Sequence, residues 1–160
     1  MNTDMCVPCG NGILNIRAGA IIMKNGKVLM AKDEKDEYYF SIGGRLKFGE
    51  TAEEAVIRET FEETGIKLSV DSLGFIHENY FVGDQYNKKN KLVYEISFFY
   101  YMNVPNDFEP TSYSYIDGGN KIILSWISLD DDTKIYPEFY KKELKKQQNY
   151  IKHFITDGRN

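Results

Sequence analysis

Apolar and polar positions along the chain follow two different periods. Over residues 15–32, Ile16, Ala18, Ala20, Ile21 and Ile22, then Val28, Leu29 and Met30, are separated by Lys24-Asn25-Gly26-Lys27. A turn sequence between two apolar runs predicts a strand hairpin. Further strands are predicted at residues 74–81, 92–102 and 121–128, the second rich in Tyr, Phe, Val and Ile. Between the first and later strands, Thr51 followed by Glu54 has the form of a capping box, and Gly65 is a stop signal. The segment between them is expected to be a helix of about 13 residues. Near the C-terminus, Tyr136, Tyr140, Leu144, Gln147, Ile151 and Ile155 recur at three- and four-residue spacing. That spacing predicts an amphipathic surface helix, with Lys141, Lys142, Lys145 and Lys146 mostly on its solvated side. Residues 103–120, containing proline and glycine, read as a long loop of the kind that often carries substrate contacts.

At 160 residues the chain buries roughly 70% of its unfolded surface, enough for one core without staples. The expected organisation is one domain over residues 13–155, with tails at 1–12 and 156–160. A net charge of −4 disfavours a nucleic-acid polymer, whose binding is dominated by phosphate neutralisation. No run approaches the roughly 20 apolar residues of a membrane span, and the first residues lack the pattern of a signal peptide. The expectation is a cytoplasmic protein with no membrane partner; a homodimer is compatible with it. Cys6 and Cys9 form a lone C-x-x-C without a second pair, half of what a closed zinc site requires.

The predicted helix carries the chemistry. At 100° per residue, Ala52, Ala55, Val56, Glu59, Glu62 and Glu63 fall on one stripe that begins apolar and ends in carboxylates. Ile57 and Phe61 lie opposite, so apolar contacts are expected on two sides of the helix. Like charges three and four residues apart repel, and more so where water is scarce. A hard divalent cation, Mg2+ or Mn2+, would offset them and bridge the carboxylates to substrate phosphates. Three glutamates on a helix are by themselves also what a solvated acidic face looks like.

The spacing decides between the two. The run GRLKFGETAEEAVIRETFEETGI, from Gly44 to Ile66, resembles the Nudix box. Gly44, Glu50, Arg58, Glu59, Glu62, Glu63 and Gly65 fill its fixed positions, a coincidence on the order of one in a hundred million per window at average residue usage. Weaker resemblance continues outside it, in Gly43 and in Trp126-Ile127-Ser128-Leu129 followed by Tyr136-Pro137, and covers roughly residues 13–150. Ile42 stands where members often have proline, and Thr60 where they have an aliphatic residue.

The resemblance implies an α+β fold, an α-β-α sandwich with a mixed central β-sheet flanked by helices. It implies that Glu59, Glu62 and Glu63 ligate metal together with the Gly43 carbonyl, that Glu50 acts nearby, and that Arg58 orients the glutamates. Gly43, Gly44 and Arg45 would border the substrate. The reaction implied is attack of water on phosphorus in a nucleoside diphosphate linked to a second group: a nucleoside triphosphate, a nucleotide sugar, ADP-ribose or a similar small molecule. A box glutamate, Glu78 or Glu95 would be the general base. Tyr80, Phe81, Tyr86, Tyr113 and Tyr115 could stack a base or simply pack. Two rival readings are isoprenoid diphosphate isomerisation, which lacks a matching cysteine and glutamate pair, and a non-catalytic nucleotide-binding or regulatory domain.

Overall fold

A computed structural model describes residues 3–83, 88–111, 113–115 and 119–159, of 113–115 the backbone alone. In chain order the strands before the helix are β1 (Cys6–Cys9), β2 (Gly12–Ile21), β3 (Met23–Lys24), β4 (Lys27–Asp33) and β5 (Tyr39–Arg45). Helix α1 (Ala52–Thr64) follows, then β6 (Val70–Val82), β7 (Leu92–Met102), β8 (Tyr113–Tyr115), β9 (Lys121–Ser128) and β10 (Ile135–Tyr136). A short α2 (Tyr140–Glu143) and β11 (Lys152–Asp157) complete the described chain. The predicted hairpin joins β3 to β4 with Lys24 opposite Lys27, and Asn25 and Gly26 both take positive φ, as a two-residue turn between twisted strands requires.

The sheet is mixed. Its order is β11-β6-β7-β2-β5-β4-β9-β8, with β1 on β2, β3 on β4 and β10 on β5. β2 runs parallel to β7, β11 parallel to β6, and β10 parallel to β5, while the remaining pairs are antiparallel. The middle of the sheet is apolar on both faces, which explains why β2 and β4 read as near-continuous hydrophobic runs. Ala18, Ala20, Ile22, Leu29, Ala31 and Ile42 face α1 and pack with its Ala55 and Val56. Ile21, Val28, Met30, Phe99 and Tyr101 face the other way and pack against Tyr140 and Leu144. The C-terminal segment thus covers the second face, completing the expected layers.

Several expectations change. The amphipathic helix predicted through Ile155 is one turn, Tyr140–Glu143, followed by a strand. Tyr140 and Leu144 obey helical spacing and are buried, whereas Ile151 and Ile155 are exposed. Lys152–Asp157 alternates instead: Phe154 stacks on Phe139 with centroids 4.3 Å apart, and a strand docked beside β6 outcompetes an unsupported helix. The long loop contains buried Phe108 and strand β8 on the edge of β9. Residues expected as an N-terminal tail carry β1, which pairs with Gly12–Asn15 of β2, and β11 runs past the expected boundary at 155. Phe61 is 54% exposed, so the second apolar side of α1 reduces to Ile57, which packs on the core.

Candidate active site

Helix α1 is fixed at both ends by the signals read from sequence. Thr51 caps its N-terminus by accepting from the Glu54 backbone N–H, and the Glu54 carboxylate accepts from the Thr51 N–H at 2.8 Å. Gly65, at φ 75°, ends it by donating its N–H to the Phe61 carbonyl. Ala55, Val56, Thr60 and Thr64 are buried against the sheet. That seating aims the Glu59–Glu63 turn at the Gly43-Gly44 stretch of β5.

The two glycines are there for space. Gly43 sits at φ 142°, and a Cβ on it would stand 2.1 Å from the Ala18 carbonyl oxygen. A Cβ on Gly44 would meet the Glu59 carboxylate at 2.4 to 2.5 Å. Bare backbone at Gly44 therefore lets Glu59 close on it from the helix, and bare backbone at Gly43 lets β5 lie close against β2; Glu63 reaches the same stretch, its Oε1 accepting from the Gly43 N–H at 3.2 Å.

Arg58 is the counter-charge. Its Nε and Nη2 donate to the two oxygens of Glu50 at 3.1 and 2.6 Å, a bidentate pair. Nη1 donates to Glu59 at 2.6 Å and to Glu62 at 3.4 Å, and Nη2 also reaches the Arg45 carbonyl at 3.1 Å. Glu50 further accepts from the Lys47 N–H at 2.6 Å. The Arg58 hydrogen bond is the chief reason the Glu50 carboxyl is held below the usual carboxylate range, against the opposing effect of burial. Arg58 itself is held more firmly protonated, first by Glu50 and then by Glu59.

Glu63 is the exception. Burial pushes its carboxyl up to about 8; Glu59 and Glu62 add to the rise, and the Gly43 N–H and Arg17 oppose it. Its Oε2 is buried without any hydrogen-bond partner. An unpaired buried acceptor costs about 1–3 kcal/mol, and a cation is the partner that would also offset the neighbouring carboxylates. The donor set therefore fits a hard divalent ion: Glu59, Glu62 and Glu63 with the Gly43 backbone, all oxygen ligands. Among the described residues no three His, Cys, Asp or Glu side chains already stand in a ligand cluster, since Glu59 and Glu62 are turned onto Arg58.

The remaining candidates scatter. Glu78 is tied to Tyr94, whose hydroxyl donates to it, and to His153 at 2.7 Å. Glu95 accepts from Asn15 Nδ2 at 2.6 Å. Tyr80 stacks on Tyr94 with centroids 4.3 Å apart and carries Arg159 over its ring, while Phe81 is half-buried. Tyr86 lies outside the described residues, as do the side chains of Tyr113 and Tyr115. Lys145 pairs with Asp130 on the surface. Cys6 and Cys9 are free thiols. Sequence reasoning passed over Arg17, which β2 places opposite Arg45; its signal was a charge inside an apolar strand run.

Comparison with known proteins identifies the family. The NUDIX domain model matches residues 14–146. A MutT-like protein of Streptomyces ambofaciens is 36% identical over 62 residues, 39% of this chain and 40% of that protein's length. Similar solved structures include a MutT protein from Bacillus halodurans (TM-score 0.63, 18% identity, 88% of this chain and 90% of that one). A MutT NUDIX hydrolase from Burkholderia pseudomallei gives 0.56 at 24% identity over 74% and 85% of the two chains. An ADP-ribose pyrophosphatase from Streptococcus suis gives 0.53 at 16% over 89% and 98%. The solved structures share the fold, and the domain match extends over most of the chain: the chain belongs to the Nudix hydrolase family.

Proposed function

We propose that the chain hydrolyses the diphosphate linkage of a small nucleoside diphosphate derivative with Mg2+ or Mn2+ bound at Glu59, Glu62, Glu63 and the Gly43 backbone. The observation that carries this reading is the buried, unpartnered Glu63 Oε2, on a carboxylate held by the Gly43 N–H beside Gly44, whose missing side chain admits Glu59. Nudix hydrolases generally use divalent metals, and a cation held here would neutralise phosphoryl oxygens and lower the pKa of an attacking water. The residues of the chain do the positioning. Arg58 holds Glu50 and Glu59 in place, so the carboxylates are pre-oriented by charge-assisted hydrogen bonds. Gly43 and Gly44 allow the diphosphate close to bare backbone, and Glu62, with a side chain 51% exposed, is the carboxylate most accessible to solvent and substrate. The free thiols of Cys6 and Cys9 suit a reducing compartment such as the cytoplasm.

The test is release of phosphate-containing products from nucleoside triphosphates, nucleotide sugars, ADP-ribose and dinucleoside polyphosphates, with Mg2+, with Mn2+ and with chelator. Chelator-sensitive cleavage of a panel member is expected. Glu62→Gln should fold normally, with an unchanged Tm, and lose at least about a hundredfold in turnover. Silence across the panel with metal binding intact would favour the non-catalytic, nucleotide-binding reading. Wild-type activity in a folded Glu62→Gln protein would sink the metal assignment.

A further inference from the structure

Strand β2 carries polar residues that the box chemistry leaves unused. Its even-numbered residues face α1; Asn15, Arg17, Gly19 and Ile21 face the other side, where Phe99 lies over Gly19. The apolar half of that face, around Ile21, Phe99 and Tyr101, is covered by Phe139 and Tyr140. Beside it runs a polar stretch, before the face becomes apolar again at Ile13, Val93 and Phe81: register sets Arg17 beside Ser97, and Asn15 beside Glu95, with Asn79 next to Glu95.

From the glycine pair outward the groups form a sequence. Gly19 lies opposite Gly43 and Arg17 opposite Arg45. Arg17 is within electrostatic reach of Glu63. Lys88, from the β6–β7 connection, is half-buried within reach of Arg45, Arg17 and Glu95. Neither the Arg17 nor the Lys88 side chain makes a hydrogen bond or ion pair among the described residues. This positive stretch suits the phosphates of a substrate whose diphosphate sits at the glycines.

Beyond it, Asn15 is fully buried. Its Nδ2 donates to Glu95 Oε2, and because a carboxylate only accepts, this bond fixes which way the amide points. Asn15 Oδ1 is left buried with no partner, and Glu95 keeps a second oxygen free of any hydrogen bond among the described residues. Two neighbouring acceptors call for a ligand that brings donors. The row of Asn15, Glu95 and Asn79 offers hydrogen-bonding groups, with Phe81 one pair further along the same face beside Val93. At about 3.3 Å per residue, Asn15 lies about 13 Å along β2 from Gly19, within the reach of a diphosphate ester and the pentose it carries.

We infer that this polar stretch of the sheet binds the vicinal hydroxyls of a sugar esterified to the diphosphate, with Glu95 as the acceptor and Asn15 as the buried residue that positions it. The inference rests on the hydrolase reading and names a substrate class for it: diphosphates that carry an intact pentose diol.

The test is calorimetric titration of the whole chain with ADP-ribose, ADP and 2′,3′-dideoxy-ADP, using Ca2+ in place of Mg2+ to slow turnover. One arm, ADP against dideoxy-ADP, reads the nucleoside sugar. The other, ADP-ribose against ADP, reads a second sugar. In one arm the diol should tighten binding by about tenfold or more, the scale of a hydrogen bond to a charged group. Glu95→Gln places an amide N–H2 where the ligand needs an acceptor. It should abolish that difference by weakening only the diol-bearing ligand, with Tm unchanged. Asn15→Ala should do the same and leave the affinity of the diol-free ligand intact. A difference that survives Glu95→Gln, or no difference in either arm of the wild type, overturns the inference. Diol-independent binding accompanied by metal-dependent turnover of the wider panel would overturn it and leave the hydrolase reading standing; absence of both binding and turnover would remove both.

Discussion

A single buried carboxyl gives the metal-free chain a pH response of its own. Glu63 titrates near 4.5 when unburied and near 8 in the fold. A carboxyl raised in this way costs the fold nothing below about pH 4.5, where both states hold the proton, and destabilises it progressively from there up to about pH 8, above which the cost is constant. Glu63 should therefore take thermal stability from the chain stripped of metal between pH 5 and pH 8, by at most about 1.4 kcal/mol per pH unit. Glu63→Gln should lack that part of the loss, and added Mg2+ should reverse it in the wild type; parallel Tm curves for the two proteins would refute the assignment. Thr60 poses a simpler case. It stands where relatives of the box carry an aliphatic residue, is completely buried, and its hydroxyl has no partner. Thr60→Val, nearly isosteric, should stabilise the chain by about 1 kcal/mol in urea unfolding, since it removes an unpaired buried hydroxyl.

At the scale of elements, what could be read in advance is what local chemistry decides. Helix α1 begins and ends at Thr51 and Gly65 because its caps are side-chain and backbone hydrogen bonds written within a few residues. The turn at Asn25-Gly26 is local in the same sense. The segment after Leu144 is not. Its Ile151 and Ile155 match a helical stripe, and only the long-range pairing of Lys152–Asp157 with Phe75–Tyr80 makes it a strand. Phe154 anchors that strand by stacking on Phe139 and contacting Phe75. Phe154→Ala should cost about 2 kcal/mol, less than a fully buried phenylalanine would. Hydrogen exchange should speed in β11 and the neighbouring half of β6 while α1 stays protected; uniform loss of protection would contradict a locally anchored strand.

For the whole molecule, the site divides along the same line. The glutamates, Arg58 and the glycine pair were legible because they lie within 23 consecutive residues, Gly44 to Ile66, plus Gly43. Of the residues across the sheet only Glu95 was legible, as a candidate base; its grouping with Asn15, Arg17 and Lys88 was not, since they meet only through strand order and register. The Arg58 ion pairs bear on all of this. Glu50, Glu59 and Glu62 already share one guanidinium in the chain as it stands. A divalent ion arriving there takes over a role already filled, so loading is an exchange of one positive charge for another. The affinity measured for the ion is then a difference between two partnerships, because Glu59 and Glu62 must turn from Arg58 to the ion as it binds.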